Sequence, residues 1–169
     1  MASWYECKFK YNRENQDGGI SNVSETYLVD AVSFTDAETR IYSEIGANYM
    51  EFILLKVAKY PVHELIPATE EGGKWYKCKV ALVTYDEKTE KEKKQKQTVI
   101  VNGNTVKEAY EKIEAVFQSS ISDYEIMDIV TTTILEVLPF VEEQRNLRKL
   151  EPGTIITNEL VEKENLSEN

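Results

Sequence analysis

The side chains best suited to hold another molecule are two tryptophans and two groups of lysines. "SWYECKF" (3–9) and "KWYKCKV" (74–80) bring Trp4 and Trp75 into the neighbourhood of Lys8, Lys10, Lys77 and Lys79. Aromatic rings interleaved with lysines on a sheet can stack bases and follow a phosphate backbone, or form the apolar centre of a dimer interface. The plain structural alternative is that each tryptophan caps a sheet edge or packs under a loop. A second group, Lys91, Lys93, Lys94 and Lys96, lies in "DEKTEKEKKQK" (86–96). It can touch a phosphate backbone, but the acids around it blunt its field, and a solvated hairpin of mixed charge that keeps an edge from aggregating is the simpler reading.

Catalytic chemistry finds little material. His63 is the single histidine, and its setting in "YPVHELIP" reads as a half-buried structural position. Cys7 and Cys78 fall on core-facing positions, where a thiolate is disfavoured, and two cysteines are too few for a disulfide framework or a zinc site. There is no HExxH, CxxC, GxGxxG after a strand, or GxxxxGK[ST] motif. No carboxylate stands in an apolar setting that would suit it to acid catalysis. The expectation is therefore a protein without catalytic residues, metal ligands or cofactor.

A chain of 169 residues fits one ordinary domain with a core of its own. Its 20 basic and 30 acidic residues leave a net charge of -10, which favours solubility and opposes casual binding to phosphate or anionic lipid. With no apolar leader and no run approaching a membrane span, the reading is a soluble intracellular protein that makes no membrane contact.

The elements that position these side chains come in duplicate. Trp4 and Trp75, like Cys7 and Cys78, are 71 residues apart. "DAVSFTDAETRI" (30–41) matches "NGNTVKEAYEKI" (102–113), and "FILLKVAKYPVHELIP" (52–67) matches "YEIMDIVTTTILEVLP" (124–139), both at an offset of 72. Self-similarity at a fixed offset marks repeated supersecondary units. In each copy, alternation puts Tyr and Cys on one face and Trp and Lys on the other, as in a half-buried strand. A polar turn follows, around Asp17-Gly18-Gly19 in the first copy and from Asp86 to Lys96 in the second, and then a second strand. Ser33-x-x-Asp36 and Thr105-x-x-Glu108 are capping boxes that open helices, with apolar stripes at Ala37, Ile41, Ile45 and at Ala109, Ile113, Phe117. A long strand, broken near Pro61 in the first copy, ends each unit.

The expected fold is α+β: tandem β-β-α-β units forming about six antiparallel-rich strands, with two helices on one face. Repeat 1 spans about 3–67, a linker 68–73, and repeat 2 about 74–140. Residues 141–169 form an extension whose polar end is expected to be disordered.

Taken together, "WYECK", "YLVDAVSFTDAE", "KWYKCKV", "DEKTEKEKK" and the threonine-rich strand before "LPF" resemble domain of unknown function family 4494, proteins of gut Bacteroidetes and of the phages and mobile elements that infect them. The resemblance implies a bacterial host cytosol but transfers no catalytic residues. The expected function is a non-enzymatic binding protein of a phage or mobile element that self-associates and binds a host protein or sequesters a ligand. The alternative is an accessory factor that binds single-stranded nucleic acid during phage DNA replication or recombination.

Overall fold

The computed structural model describes residues 3–139, and the extension expected beyond residue 140 lies outside the described residues. Strands β1 (Ser3–Glu14) and β2 (Ile20–Ala31) form a hairpin, followed by helix α1 (Phe34–Glu44), a 3-10 turn (Gly46–Asn48), β3 (Met50–Tyr60) and the short β4 (Glu64–Ile66). The same order returns as β5 (Lys74–Asp86), β6 (Lys91–Gly103), α2 (Val106–Phe117), β7 (Asp123–Thr131) and β8 (Ile134–Leu138).

Local signals act where the sequence places them. Ser33 Oγ accepts the Asp36 N–H at 3.1 Å and Thr105 Oγ1 accepts that of Glu108 at 3.1 Å, closing the first turn of each helix. The two carboxylates reach back to the residue before the cap, Asp36 to the Val32 N–H at 2.9 Å and Glu108 to that of Asn104 at 3.0 Å. Trp4 pairs with Asp30 and Trp75 with Asn102, so the step from offset 71 to 72 falls inside the hairpin. The second turn is much tighter than the expected Asp86–Lys96 stretch. β5 runs to Asp86 and β6 resumes at Lys91, because Val83, Thr84 and Tyr85 pair with Lys94, Lys93 and Glu92 and suit a pleated surface.

The strands form two four-stranded sheets, eight strands in place of the expected six, in the orders β3-β1-β2-β8 and β7-β5-β6-β4. Three antiparallel strands of each sheet come from one half of the chain. The fourth comes from the other half and runs parallel to its neighbour: β8 beside β2, and β4 beside β6. Each half thus completes the sheet of the other.

The helices do not share a face, which corrects the expected layering. Ala37 and Ile41 of α1 pack on Tyr5, Cys7, Phe9 and Val29 of the first sheet, while Ala109, Ile113 and Phe117 of α2 pack on Tyr76, Cys78, Val80 and Val99 of the second. The faces away from the helices are apolar at Leu28, Trp75, Ile100 and Ile134, and these four close on one another with Trp4, Tyr60 and Leu65 around them. A sheet that is apolar on both faces must be covered on both. Each sheet therefore has a helix outside and the other sheet inside. Gly73 (φ 81°) lets the chain enter β5, because a Cβ there would stand 2.9 Å from Asn102 Oδ1.

Candidate functional site

The β5–β6 hairpin sorts its lysines by strand alternation. Since Tyr76, Cys78, Val80, Val99 and Val101 lie under α2, the residues between them look away from the helix. Lys79 stands opposite Thr98, Ala81 opposite Lys96 and Val83 opposite Lys94. Lys77, Lys79, Lys94 and Lys96 therefore share the face away from α2. Lys91 and Lys93 alternate to the other face, so the lysine-rich hairpin expected as one cluster is divided and half of it joins the sheet-face lysines.

Charge on this face is only partly compensated. Lys94 Nζ meets Glu125 Oε2 at 2.9 Å, and both side chains are more than half exposed, so solvent screens the pair. Hydrogen bonding to Glu125 raises the Lys94 pKa. Lys77 Nζ lies 5.2 Å from the centre of the Tyr60 ring, a cation–π contact that reaches the first sheet. Lys79 and Lys96 are exposed and make no ion pair among the described residues.

By the same alternation Trp75 shares this face of β5, but it is buried there. Trp75 is 7% exposed and Trp4 half-buried, both in the apolar layer between the sheets. The expectation that both lie on an open face is thereby corrected: the aromatic pair covers an interface within one chain. Trp75 is also held through its carbonyl, which accepts the Thr132 N–H at 3.0 Å and the Thr132 hydroxyl at 2.7 Å. Trp4 lines one end of the layer, beside a cavity of about 460 Å³ shared with Tyr60 and Val62.

On the first sheet, Lys8 is exposed and Lys10 half-buried. Lys8 borders a groove of about 550 Å³ with Glu6, Ser24, Thr26, Lys56 and Thr133. Its charge is already matched in part, since Lys56 Nζ sits 2.6 Å from Glu6 Oε1. Lys8 and Lys10 thus look away from α1 as Lys77 and Lys79 look away from α2, one set on each sheet.

The two thiols are held in their unreactive form. Burial, with Glu6 adding to it, pushes the Cys7 thiol up to about 12, and burial with Asp128 pushes Cys78 up to about 11. Neither is a thiolate at neutral pH. His63 is exposed, not half-buried, and its role is structural: Nδ1 accepts the Thr98 N–H at 2.9 Å while the His63 backbone N–H donates to the Thr98 carbonyl at 2.9 Å.

Two features escaped the sequence reading. Arg40, 4% exposed, donates to the Asp30 carbonyl at 2.8 Å and the Leu138 carbonyl at 3.3 Å, and pairs with Glu44 at 2.8 Å. The signal was a basic residue just before the core isoleucine in both "TRI" and "EKI". The other is a tyrosine cluster confined to the first half: Tyr11 Oη donates to Glu25 Oε1 at 2.7 Å and its ring stacks on Tyr49 at 3.8 Å. Burial, then Glu25, pushes Tyr27 up to about 12.

With this arrangement in place, the comparison with known proteins is direct. One family, Domain of unknown function (DUF4494), matches residues 3–140. The chain belongs to that family. The match covers every described element, so the exchanged strands and the lysine face of the hairpin lie inside the family's domain. No curated protein matches the chain. Among the described residues no helix is long and apolar enough to cross a membrane.

Proposed function

We propose that this member of the family is a non-enzymatic binding protein of a phage or mobile element, and that the lysine face of its second sheet is the surface that meets an anionic partner in the host cytosol. The observation that carries the reading is that Lys77, Lys79, Lys94 and Lys96 share one face of the β5–β6 hairpin, with Lys79, Lys94 and Lys96 exposed, in a chain whose net charge is -10. Such a surface keeps its local attraction within a Debye length of roughly 10 Å, whatever the total charge. The buried thiols support binding rather than nucleophilic chemistry.

The scaffold reads as a tandem duplication of a β-β-α-β unit with a short closing strand. Three pairings support this: Ser33 with Thr105 at the caps, Arg40 with Lys112 on the helices, and the strand irregularities at Leu55 in β3 and Met127 in β7. Self-association falls to the outer edges β3 and β7, where Leu55 and Met127 are exposed.

A host protein with an acidic surface is the preferred partner. Single-stranded nucleic acid is the second reading, favoured by lysines at every other residue along each strand, roughly 7 Å apart, but deprived of stacking by the burial of Trp75. The test is affinity capture from host cytosol with the wild-type chain and with Lys79→Glu/Lys96→Glu. Partners lost only from the variant support the reading; the same partners on both overturn it.

A further inference from the structure

We infer that the free edge of β6 accepts an extended acidic segment of a partner protein as an added strand, an inference that rests on the binding reading above and names its mode. The edge exists because β4 is short. It covers only Val99–Val101 of β6, and His63 extends the cover by one residue through its two hydrogen bonds to Thr98. From Lys91 to Gln97, β6 has β5 on one side and no strand on the other among the described residues.

The direction of the free backbone groups follows from strand geometry. Neighbouring residues of a strand turn their N–H and C=O to opposite edges. Thr98 points both groups toward β4 and His63. Lys96, Lys94 and Glu92 therefore present theirs on the same open edge. That is a row of donors and acceptors of the kind strand addition uses, with the pockets or charges alongside deciding which sequence is accepted.

The side chains flanking this row choose the occupant. Lys94 and Lys96 stand on one face of the strand and Lys91 and Lys93 on the other, all exposed. A strand laid beside β6 places successive side chains on alternate faces, about 4.5–5.5 Å from their cross-strand neighbours, so acids at both parities meet a lysine. The same lysines repel the β6 edge of a second copy, which is how exposed edges avoid pairing with themselves. The first sheet has an equivalent free stretch, because β8 begins opposite Thr26. That stretch, "ISNVSE" (20–25), has no lysine. The two halves differ in charge along these equivalent free stretches of their second strands.

The probe is a short synthetic peptide alternating threonine with glutamate, titrated into the full chain at low salt. Amide hydrogen exchange is read residue by residue. Strand addition predicts new protection at Glu92, Lys94 and Lys96, whereas Lys93, Gln95 and Gln97 already face β5. Glu92→Pro separates strand addition from simple charge attraction: it removes an outward N–H at an edge where proline is tolerated, and it also removes an acid. Added-strand binding predicts affinity about three- to tenfold weaker, the loss of one hydrogen bond; attraction by charge alone predicts tighter binding. Peptide binding without edge protection, or with Glu92→Pro tighter, overturns the inference, as does oligothymidylate binding in place of the peptide. If capture by the lysine face persists while the edge amides stay silent, the binding reading stands and strand addition falls. If neither is seen, both fall.

Discussion

Arg40 and Lys112 hold the same post in the two halves: each donates to the carbonyl of the last residue but one of its second strand, Arg40 to Asp30 and Lys112 to Asn102, both at 2.8 Å. Only the arginine reaches further, to the Leu138 carbonyl of the exchanged strand β8 at 3.3 Å. Arg40 thus fastens α1, β2 and β8 together. Arg40→Ala should destabilise the fold by about 2–4 kcal/mol, because it leaves buried carbonyls without a charged donor. Lys112→Ala should cost about 1 kcal/mol, its side chain being nearer solvent. Urea denaturation checks both; equal costs would contradict the role given to β8.

The layer between the sheets is the second test. Leu28→Ala should cost about 2–5 kcal/mol, since Leu28 is fully buried and the cavity left behind has sheet on both sides. Trp75 should emit in the blue and resist acrylamide quenching. A red, readily quenched emission from Trp75 in a Trp4→Phe variant would show the layer to be open.

The elements that local chemistry controls were legible. The caps at Ser33 and Thr105 and the stripes at Ile41 and Ile113 depend on neighbours within a turn or two, and the sequence displays them. The strand exchange was not legible. A three-residue strand such as β4 carries almost no periodic signal, and its parallel pairing with β6 is decided by distant contacts. The second cover over each sheet left a trace that alternation in β1 concealed: "YLV" (27–29) and "VIV" (99–101) are unbroken apolar runs, the mark of strands buried on both faces. The lysines were misplaced for a related reason. Reading Asp86–Lys96 as a turn hid the parity of β6, which alone assigns Lys94 and Lys96 to one face and Lys91 and Lys93 to the other.

The buried thiols predict an alkaline weakness. A group whose pKa is higher folded than unfolded stabilises fully below its unfolded value and loses that contribution as pH rises toward the folded one. With Cys7 raised from 9.0 to about 12 and Cys78 from 9.0 to about 11, stability should fall between about pH 9 and pH 12, and both thiols should resist alkylation at neutral pH. The Cys7→Ala/Cys78→Ala variant should show a shallower decline. An unchanged slope would assign the weakness to other groups.

The exchange of β4 and β8 makes the halves mutually dependent. A protease site inserted after Glu71 and cleaved should leave the two fragments bound to one another, because each supplies the other's fourth strand and the apolar layer between the sheets spans both. Size-exclusion chromatography with light scattering reads the result. Separate, folded fragments would contradict the topology.

The most direct test of the central claim compares the two lysine surfaces. Lys79→Glu/Lys96→Glu and Lys8→Glu/Lys10→Glu should each change stability by less than about 0.5 kcal/mol. Captured host partners, or the acidic peptide followed by fluorescence anisotropy across a salt series, should then be lost from the first variant and kept by the second. Equal loss from both, or loss only from the second, would contradict the assignment of binding to the second sheet.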